Sequence, residues 1–436
     1  MTYNAKHPAQ LIQELDPVLS YVCMRAGLPS LSVDINIAGE PVSLAFRDGI
    51  GRIVDGERPL YAVGCVLDML FAVICVDLHH RLGLGLDEPF EQHIPELAPL
   101  VRRDHADPIT IQHLLTRTSG IQEPRTIDEM RQFIPWEDLS PRIRDAPRLF
   151  SPGSAFNYGG IDRLLLAIVM ERFSGKSIGK LAREIVVQPC GIQHRPEQFG
   201  APDDTGFQAV ERCDTAHLAQ TAASLGIGGV DGLHTPFSEA VRTHLQLEKI
   251  PISRSVKAPP WPHAATAFTL GLFKYSDGLV GFNGWDSGQS CSVRYDPVSQ
   301  LGFAVAMDGP PGVRDYVVAE VAQRLGYFSV QSRAVPCTVG GLNGLRPDDI
   351  VGDYSGWAAG YRADVTLEHN VVACDLSYES RRFRRMRMRM EDEAWLVVDS
   401  AAELSSLEFF RDPRTGRVCM ASGGVPYAMT TSNLNA

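Results

Sequence analysis

The chain has 436 residues, 44% of them hydrophobic and 21% charged; it can bury a large core and, at roughly 150 residues per domain, form two or three units. A net charge of −11 and a pI near 5.6 exclude a general affinity for phosphate backbones, so no nucleic-acid partner is expected. The start, MTYNAKHPAQ, has no basic or apolar leader pattern, and the best apolar run, Leu67–Leu78, is broken by Asp68 and Asp77; a cytoplasmic chain with no membrane partner is the expectation.

In chain order, Leu31–Ile37 and Val42–Phe46 read as a hairpin across the turn Ala38–Pro41. Val66–Leu82 reads as a long buried helix, Ile109–Thr116 as a short one, and Ile161–Phe173 as a second buried helix ended by Ser174–Gly175. The proline-rich stretch 251–264 reads as an exposed loop. Strands return at Thr269–Lys274, Leu279–Phe282, Ser290–Tyr295 and Gly302–Met307. Strands, then helices, then strands indicate an α+β fold whose first and last strands share one sheet. Residues 333–348, with two prolines and four glycines, read as a linker. Beyond it, period-two segments such as RADVTLEHNVVACDLSY predict a small C-terminal antiparallel β domain, lipocalin-like or a small barrel, over 349–436.

Nine cysteines, odd in number and never spaced CxxC, point to reduced thiols rather than a disulfide frame or a zinc site. GVDG and GIGR lack the strand–loop–helix setting of a phosphate loop. The expectation is therefore no cofactor and no metal, with a small molecule as the partner of the site; nothing in the sequence sets the oligomeric state.

Four stretches carry a family pattern. PITIQHLLTRTSGI (108–121) resembles the "ITirhLLtHtSGl" stretch of the serine β-lactamase and penicillin-binding-protein family, especially its class C-like esterase branch. SPGSAFNYGGIDRLLLAIVMERFSG (151–175) is similar to that family's "PGt.f.YSN" run and the helix after it. YAVGCVLDMLFAVICVDLHHRLGLGLDEPFEQHIPEL (61–97) resembles its nucleophile helix, and LVGFNGWDSGQSCSVRYDP (279–297) its "KTG" strand. The resemblance implies an antiparallel sheet with a helical subdomain over 1–332, followed by the linker and the β domain.

The catalytic side chains depart from that family. Its Ser-x-x-Lys pair shares one helix face so that the lysine can take the serine proton. Here the matching residues are Cys65 and Asp68. Tyr-x-Asn is Tyr158–Gly159–Gly160, and Lys-Thr-Gly is Phe282–Asn283–Gly284. A standard β-lactamase or D,D-peptidase is excluded on this count.

Each remaining residue carries two readings. Cys65 is either a nucleophile favoured by a helix start or a small residue filling the old serine site. Asp68, in an apolar run, is either a desolvated acid/base group or the partner of an arginine such as Arg117. Tyr158 is a proton relay or a packing tyrosine. Phe282, Asn283, Gly284 and Trp285 line a substrate cleft, in which the backbone N–H groups of Cys65 and Trp285 form a donor pair, or the two aromatics sit in a strand core. His79 and His80 read as surface or packing residues, and His234 as a weak acid/base candidate. The run Arg381–Arg389 reads as a solvated stripe, with arginines outward and methionines inward.

Three functions follow. The first is a biosynthetic tailoring enzyme doing non-covalent acid/base chemistry (cyclisation, isomerisation or elimination) with Asp68 and Tyr158 on a small acyl or carbonyl metabolite. The second is a Cys65-dependent acyltransferase, thioesterase or hydrolase. The third is an inactive ligand-binding or scaffold protein.

Overall fold

The computed structural model describes residues 7–47, 59–98, 107–126, 128–131, 134–190, 212–213, 215–223, 225, 236–247, 250–251, 265–286, 288–327, 338–342, 344–356, 358–369, 371–379, 381–392, 395–398, 407–422 and 425–430. Strands β1 (Ser30–Ile37) and β2 (Glu40–Arg47) form the expected hairpin, with Ile37 opposite Glu40. Ala38 and Gly39 take φ of 52° and 94°, the consecutive left-handed conformation that a two-residue hairpin turn requires.

Short strands β3 (Tyr61–Ala62) and β4 (Arg212–Cys213) pair with each other. The main sheet is completed by β5 (Ile250–Pro251), β6 (Ala265–Phe268), β7 (Phe273–Tyr275), β8 (Val280–Asp286), β9 (Gln289–Tyr295) and β10 (Leu301–Asp308). Its order is β2-β1-β10-β9-β8-β7-β6-β5, antiparallel throughout, so the first strand lies beside the last, with Val33 opposite Val305. The α+β expectation holds.

Both faces of this sheet are covered. Along β10, Leu301, Phe303, Val305 and Met307 point to one core with Leu11, Leu15 and Leu19 of the helix Pro8–Ala26 and Val317 and Val321 of the helix Pro311–Arg324. The alternate residues Ala304 and Ala306 face a second core with the helix Leu67–Leu82. Ten of that helix's 16 residues are apolar and buried, so it runs through the middle of the helical layer. It ends at Gly83, whose φ of 80° caps its carbonyls. Around it lie helices Ile111–Leu115, Trp136–Asp145, Gly160–Ser174, Ile178–Ala182, Thr215–Ala223 and Glu239–Leu245.

One strand departs from expectation. Thr269–Lys274 is not continuous: β6 ends at Phe268, residues 269–272 turn, and β7 begins at Phe273. The turn holds Gly271 at φ 88°, and a Cβ there would sit 2.5 Å from that of Ala72. A side chain cannot occupy that position. Except for Pro251, the proline-rich stretch lies outside the described residues, as does His234.

The C-terminal strands are β11 (Thr338–Gly341), β12 (Gly352–Gly356), β13 (Tyr361–Glu368), β14 (Val371–Tyr378), β15 (Arg381–Asp392), β16 (Trp395–Val398), β17 (Leu407–Arg411), β18 (Val418–Ser422) and β19 (Val425–Met429). They form one antiparallel sheet, β11-β16-β15-β14-β13-β12-β19-β18-β17, with a core of its own around Tyr354, Val365, Cys374 and Met420. β11 falls inside the stretch read as a linker and pairs with β16. Arg381, Arg382, Arg385 and Arg387 are exposed on β15; the side chains of the methionines between them lie outside the description.

This sheet grips the first part of the chain near the site. Asp412 accepts from the backbone N–H and hydroxyl of Ser151 at 2.5 and 2.9 Å, and Gln122 donates to the Gly356 carbonyl at 2.6 Å. The Ala359 N–H donates to the Glu123 carbonyl at 2.9 Å.

Candidate functional site

Cys65 stands on a single 3₁₀ turn, Gly64–Val66, that runs directly into the helix Leu67–Leu82. No side chain caps this end; the Val66 N–H donates to the Val63 carbonyl and the Leu67 N–H to the carbonyls of Gly64 and Cys65. The thiol is partly buried and lies beside the Tyr158 hydroxyl. Burial raises the thiol pKa, and Asp68 raises it further; the Tyr158 hydroxyl and the guanidinium groups of Arg163 and Arg117 act in the opposite sense. The phenol of Tyr158 is likewise pushed well above its ordinary value, first by burial and then by Asp68 and Cys65. At neutral pH both groups carry their protons.

Asp68 is 5% exposed and belongs to an ion cluster. Its Oδ1 lies 2.8 Å from Arg117 Nη2 and 3.4 Å from Arg163 Nη1. The pairing with Arg117 anticipated from the sequence is therefore present. Arg117, buried and at an uncommon φ of 59°, also donates to the Gly159 carbonyl at 2.8 Å, while its own carbonyl accepts from Asn157 N–H at 2.7 Å. One side chain thus ties the nucleophile helix to the loop that carries Tyr158. A recess with room for about one water lies beneath, lined by Asp68, Phe71, Leu115, Arg117, Arg163 and Gly271 among others.

Behind the cluster lies a second charged layer. Asp162 is fully buried, accepts from the Ser119 hydroxyl, and is raised by burial to about 7, with Arg117 and Ser119 pulling it down. Glu123, 0% exposed, holds Arg125 through two contacts of 2.7 and 2.9 Å. The sequence reading passed over Arg163, Asp162 and Glu123. A signal existed in IDRLLLAIVM, where two adjacent charges open an otherwise apolar helix.

The opposite wall is β8. Phe282 is 1% exposed and packs among aromatics, its ring centroid 4.9 Å from that of Phe273 and 6.2 Å from that of Tyr158. It stands where the resembling family has a lysine, and it meets Tyr158 as a hydrocarbon. Asn283 turns its amide oxygen to Arg294 Nη2 at 2.7 Å, and Trp285 is 52% exposed at the rim. Arg294 also donates to the Phe282 carbonyl at 3.0 Å, and buried Arg314 to the Gly284 carbonyl at 2.9 Å. Two buried arginines thus fix the backbone of this strand, and neither was singled out from the sequence.

Gly284 and Gly64 let β8 and the 3₁₀ turn touch backbone to backbone. A Cβ on Gly284 would fall 1.9 Å from the Val63 carbonyl oxygen and 3.3 Å from Cys65 N. One on Gly64, at φ 51°, would fall 2.9 Å from Trp285 N. The Cys65 and Trp285 N–H groups thereby belong to one backbone junction, the arrangement an oxyanion-type donor pair needs.

The fold and the sequence both have known counterparts. The model of the "Beta-lactamase" family matches residues 57–328. Esterase EstB of Burkholderia gladioli is 29% identical over 171 residues, 34% of this chain and 43% of that protein, so the chain spans under half the length of this curated relative. A crystal structure of SurE with D-Leu superposes with a TM-score of 0.74 at 19% identity, covering 97% of this chain and 100% of that one. The octameric penicillin-binding protein homologue from Pyrococcus abyssi gives a TM-score of 0.58 at 18% identity, covering 96% and 99%. These structural likenesses concern the fold alone.

Proposed function

The chain belongs to the β-lactamase family, and we propose that it is a divergent member whose Cys65 carries out acyl transfer or hydrolysis through a thioester intermediate. The observation that carries this reading is the placement of the Cys65 thiol beside the Tyr158 hydroxyl, near enough for each to shift the other's pKa, at the Cys65–Trp285 backbone junction. Nucleophile, proton carrier and carbonyl-polarising donors meet there. Asp68 takes the lesser part, because its Oδ1 is engaged by two arginines. Those arginines favour negative charge at sulfur, against burial and Asp68, which oppose it.

The step balances as follows. Sulfur attacks the acyl carbonyl, and a C–S bond forms as the bond to the leaving oxygen, sulfur or nitrogen breaks. Tyr158 takes the thiol proton while passing its own to the leaving atom. Water or a second nucleophile then releases the acyl group and restores the thiol. The exposed indole of Trp285 suits an acyl chain or ring. The likeness to an esterase supports an acyl substrate.

Intact-mass analysis with a 4-nitrophenyl ester and an acyl thioester tests the reading. One acyl adduct per chain is expected, on Cys65, and none in Cys65→Ala. An adduct that survives in that variant, or turnover that does, overturns it. Surviving turnover would favour the second reading, non-covalent acid/base chemistry (cyclisation, isomerisation or elimination) with Tyr158 as the proton donor. The high thiol pKa is the observation on that side. Loss of turnover in Tyr158→Phe with Cys65→Ala still active would establish that alternative.

A further inference from the structure

At the other end of the helix that begins after Cys65, three imidazoles converge. His79 and His80 lie in its last turn, and His244 comes from the helix Glu239–Leu245. One nitrogen from each lies within 4.8 Å of the others. The rings sit edge to edge rather than stacked, with centroids 4.8 and 5.3 Å apart and interplanar angles of 59–65°.

We propose that His79, His80 and His244 form a binding site for one divalent transition-metal ion of the zinc class. Three features carry this. His80 Nε2 and His244 Nδ1 are 3.2 Å apart, close to the roughly 3.4 Å that separates two nitrogens bound to one tetrahedral ion at 2.0–2.1 Å. The third nitrogen, within 4.8 Å of the others, needs an approach of up to about 1.4 Å to reach that spacing. Second, His79 Nδ1 lies 2.7 Å from the Leu84 carbonyl. A carbonyl only accepts, so Nδ1 keeps the proton and Nε2 is left with the lone pair free to bind an ion, the outer-shell arrangement that orients a ligating imidazole. Third, the cluster stands at a helix C-terminus, where the carbonyl dipoles favour a cation.

The donor set selects the ion. Three neutral nitrogens without a carboxylate suit Zn²⁺, Ni²⁺ or Cu²⁺ and not Mg²⁺ or Ca²⁺. His80 is exposed and gives the ion a way in, and no fourth side chain joins the group among the described residues, so water completes the sphere. The site lies roughly 20 Å along the helix from Cys65, too far to take part in acyl chemistry. Its effect is to clamp the helix Glu239–Leu245 and the loop at Leu84 onto the end of the buried helix.

The test uses full-length, tag-free protein freed of metal with EDTA, in a Cys65→Ala background so that this thiol cannot bind zinc. Titration calorimetry with ZnCl2 is expected to give one ion per chain with micromolar or tighter affinity, and no heat with MgCl2. Zinc should raise the melting temperature. His80→Asn and His244→Asn should each weaken binding at least about tenfold and remove the thermal shift. Metal-free melts check that both variants are folded; His80, being exposed, tolerates the change. Co²⁺ should bind without a thiolate charge-transfer band. Unchanged zinc affinity in both variants, a cobalt thiolate band, or binding only at millimolar zinc overturns the proposal.

Discussion

The two walls of the cleft are built on opposite principles. The helical wall is a lattice of buried charge: Asp68 on Arg117 and Arg163, with Asp162, Glu123 and Arg125 behind them. The strand wall is backed by buried aromatics, Phe268 and Phe282 packed with Phe273, and its backbone is held by Arg294 and Arg314. Tyr158 stands between, beside the Cys65 thiol and packed against Phe282. The lesson concerns charge placement. A lysine at position 68 would face Arg117 and Arg163 across a buried site, whereas a carboxylate there satisfies both.

The largest effect expected is on reactivity. Cys65→Ala should lower acyl turnover by on the order of 10³ or more, measured as steady-state ester hydrolysis. The next is on the charged wall. Arg117→Met should destabilise the fold by about 3–5 kcal/mol in urea unfolding, because Asp68 keeps only the 3.4 Å contact with Arg163. The pair variant Asp68→Asn with Arg117→Met should recover much of that loss; full additivity would mean the two residues do not interact.

On the aromatic wall, Phe282→Leu should cost roughly 1 kcal/mol while leaving the iodoacetamide reactivity of Cys65 within about twofold. A change in thiol reactivity as large as that of Asp68→Asn would erase the contrast between the walls. Asp68→Asn should speed Cys65 alkylation at pH 7 and move its pH profile downward, since that carboxylate helps raise the thiol pKa.

The smallest effect is a slope. Asp162 sits at about 7 in the fold, above its ordinary 3.8. A raised carboxyl pKa gives stability that is present in full below pH 4 and is lost as pH rises through 7. Asp162→Asn should therefore flatten that part of the stability–pH curve, leaving other carboxylates to set the acid limb. An unchanged slope would mean that Asp162 is ionised in the fold.

Much of the architecture is legible because it rests on period and order. The hairpin, the helix Leu67–Leu82 and the pairing of β1 with β10 all follow from apolar spacing and element sequence. The helix Pro8–Ala26 escaped notice although Leu11, Leu15, Leu19 and Val22 follow helical spacing, because Pro17 interrupts it. In the site, a carboxylate in an apolar run announces a hidden partner, and Arg117 was named on that ground. Arg163 was not, since one arginine on a helix usually reads as solvated. Asn283 was placed in the cleft by its match to the family's Lys-Thr-Gly strand, and only the fold reveals that Arg294 holds its amide.

The close approach of Gly64 to Trp285, and of Gly284 to Val63 and Cys65, has a consequence for how such proteins are found. The part of the site that would grip a carbonyl is specified by two residues with no functional group, through the space they leave empty. A search keyed to reactive side chains is blind to it, and so is any tally of lost catalytic residues. Putting alanine at either position would be a more severe lesion than most changes of the reactive groups themselves. The pair of glycines, rather than a serine and a lysine, is the signature by which to screen for degenerate members that still hold their substrates.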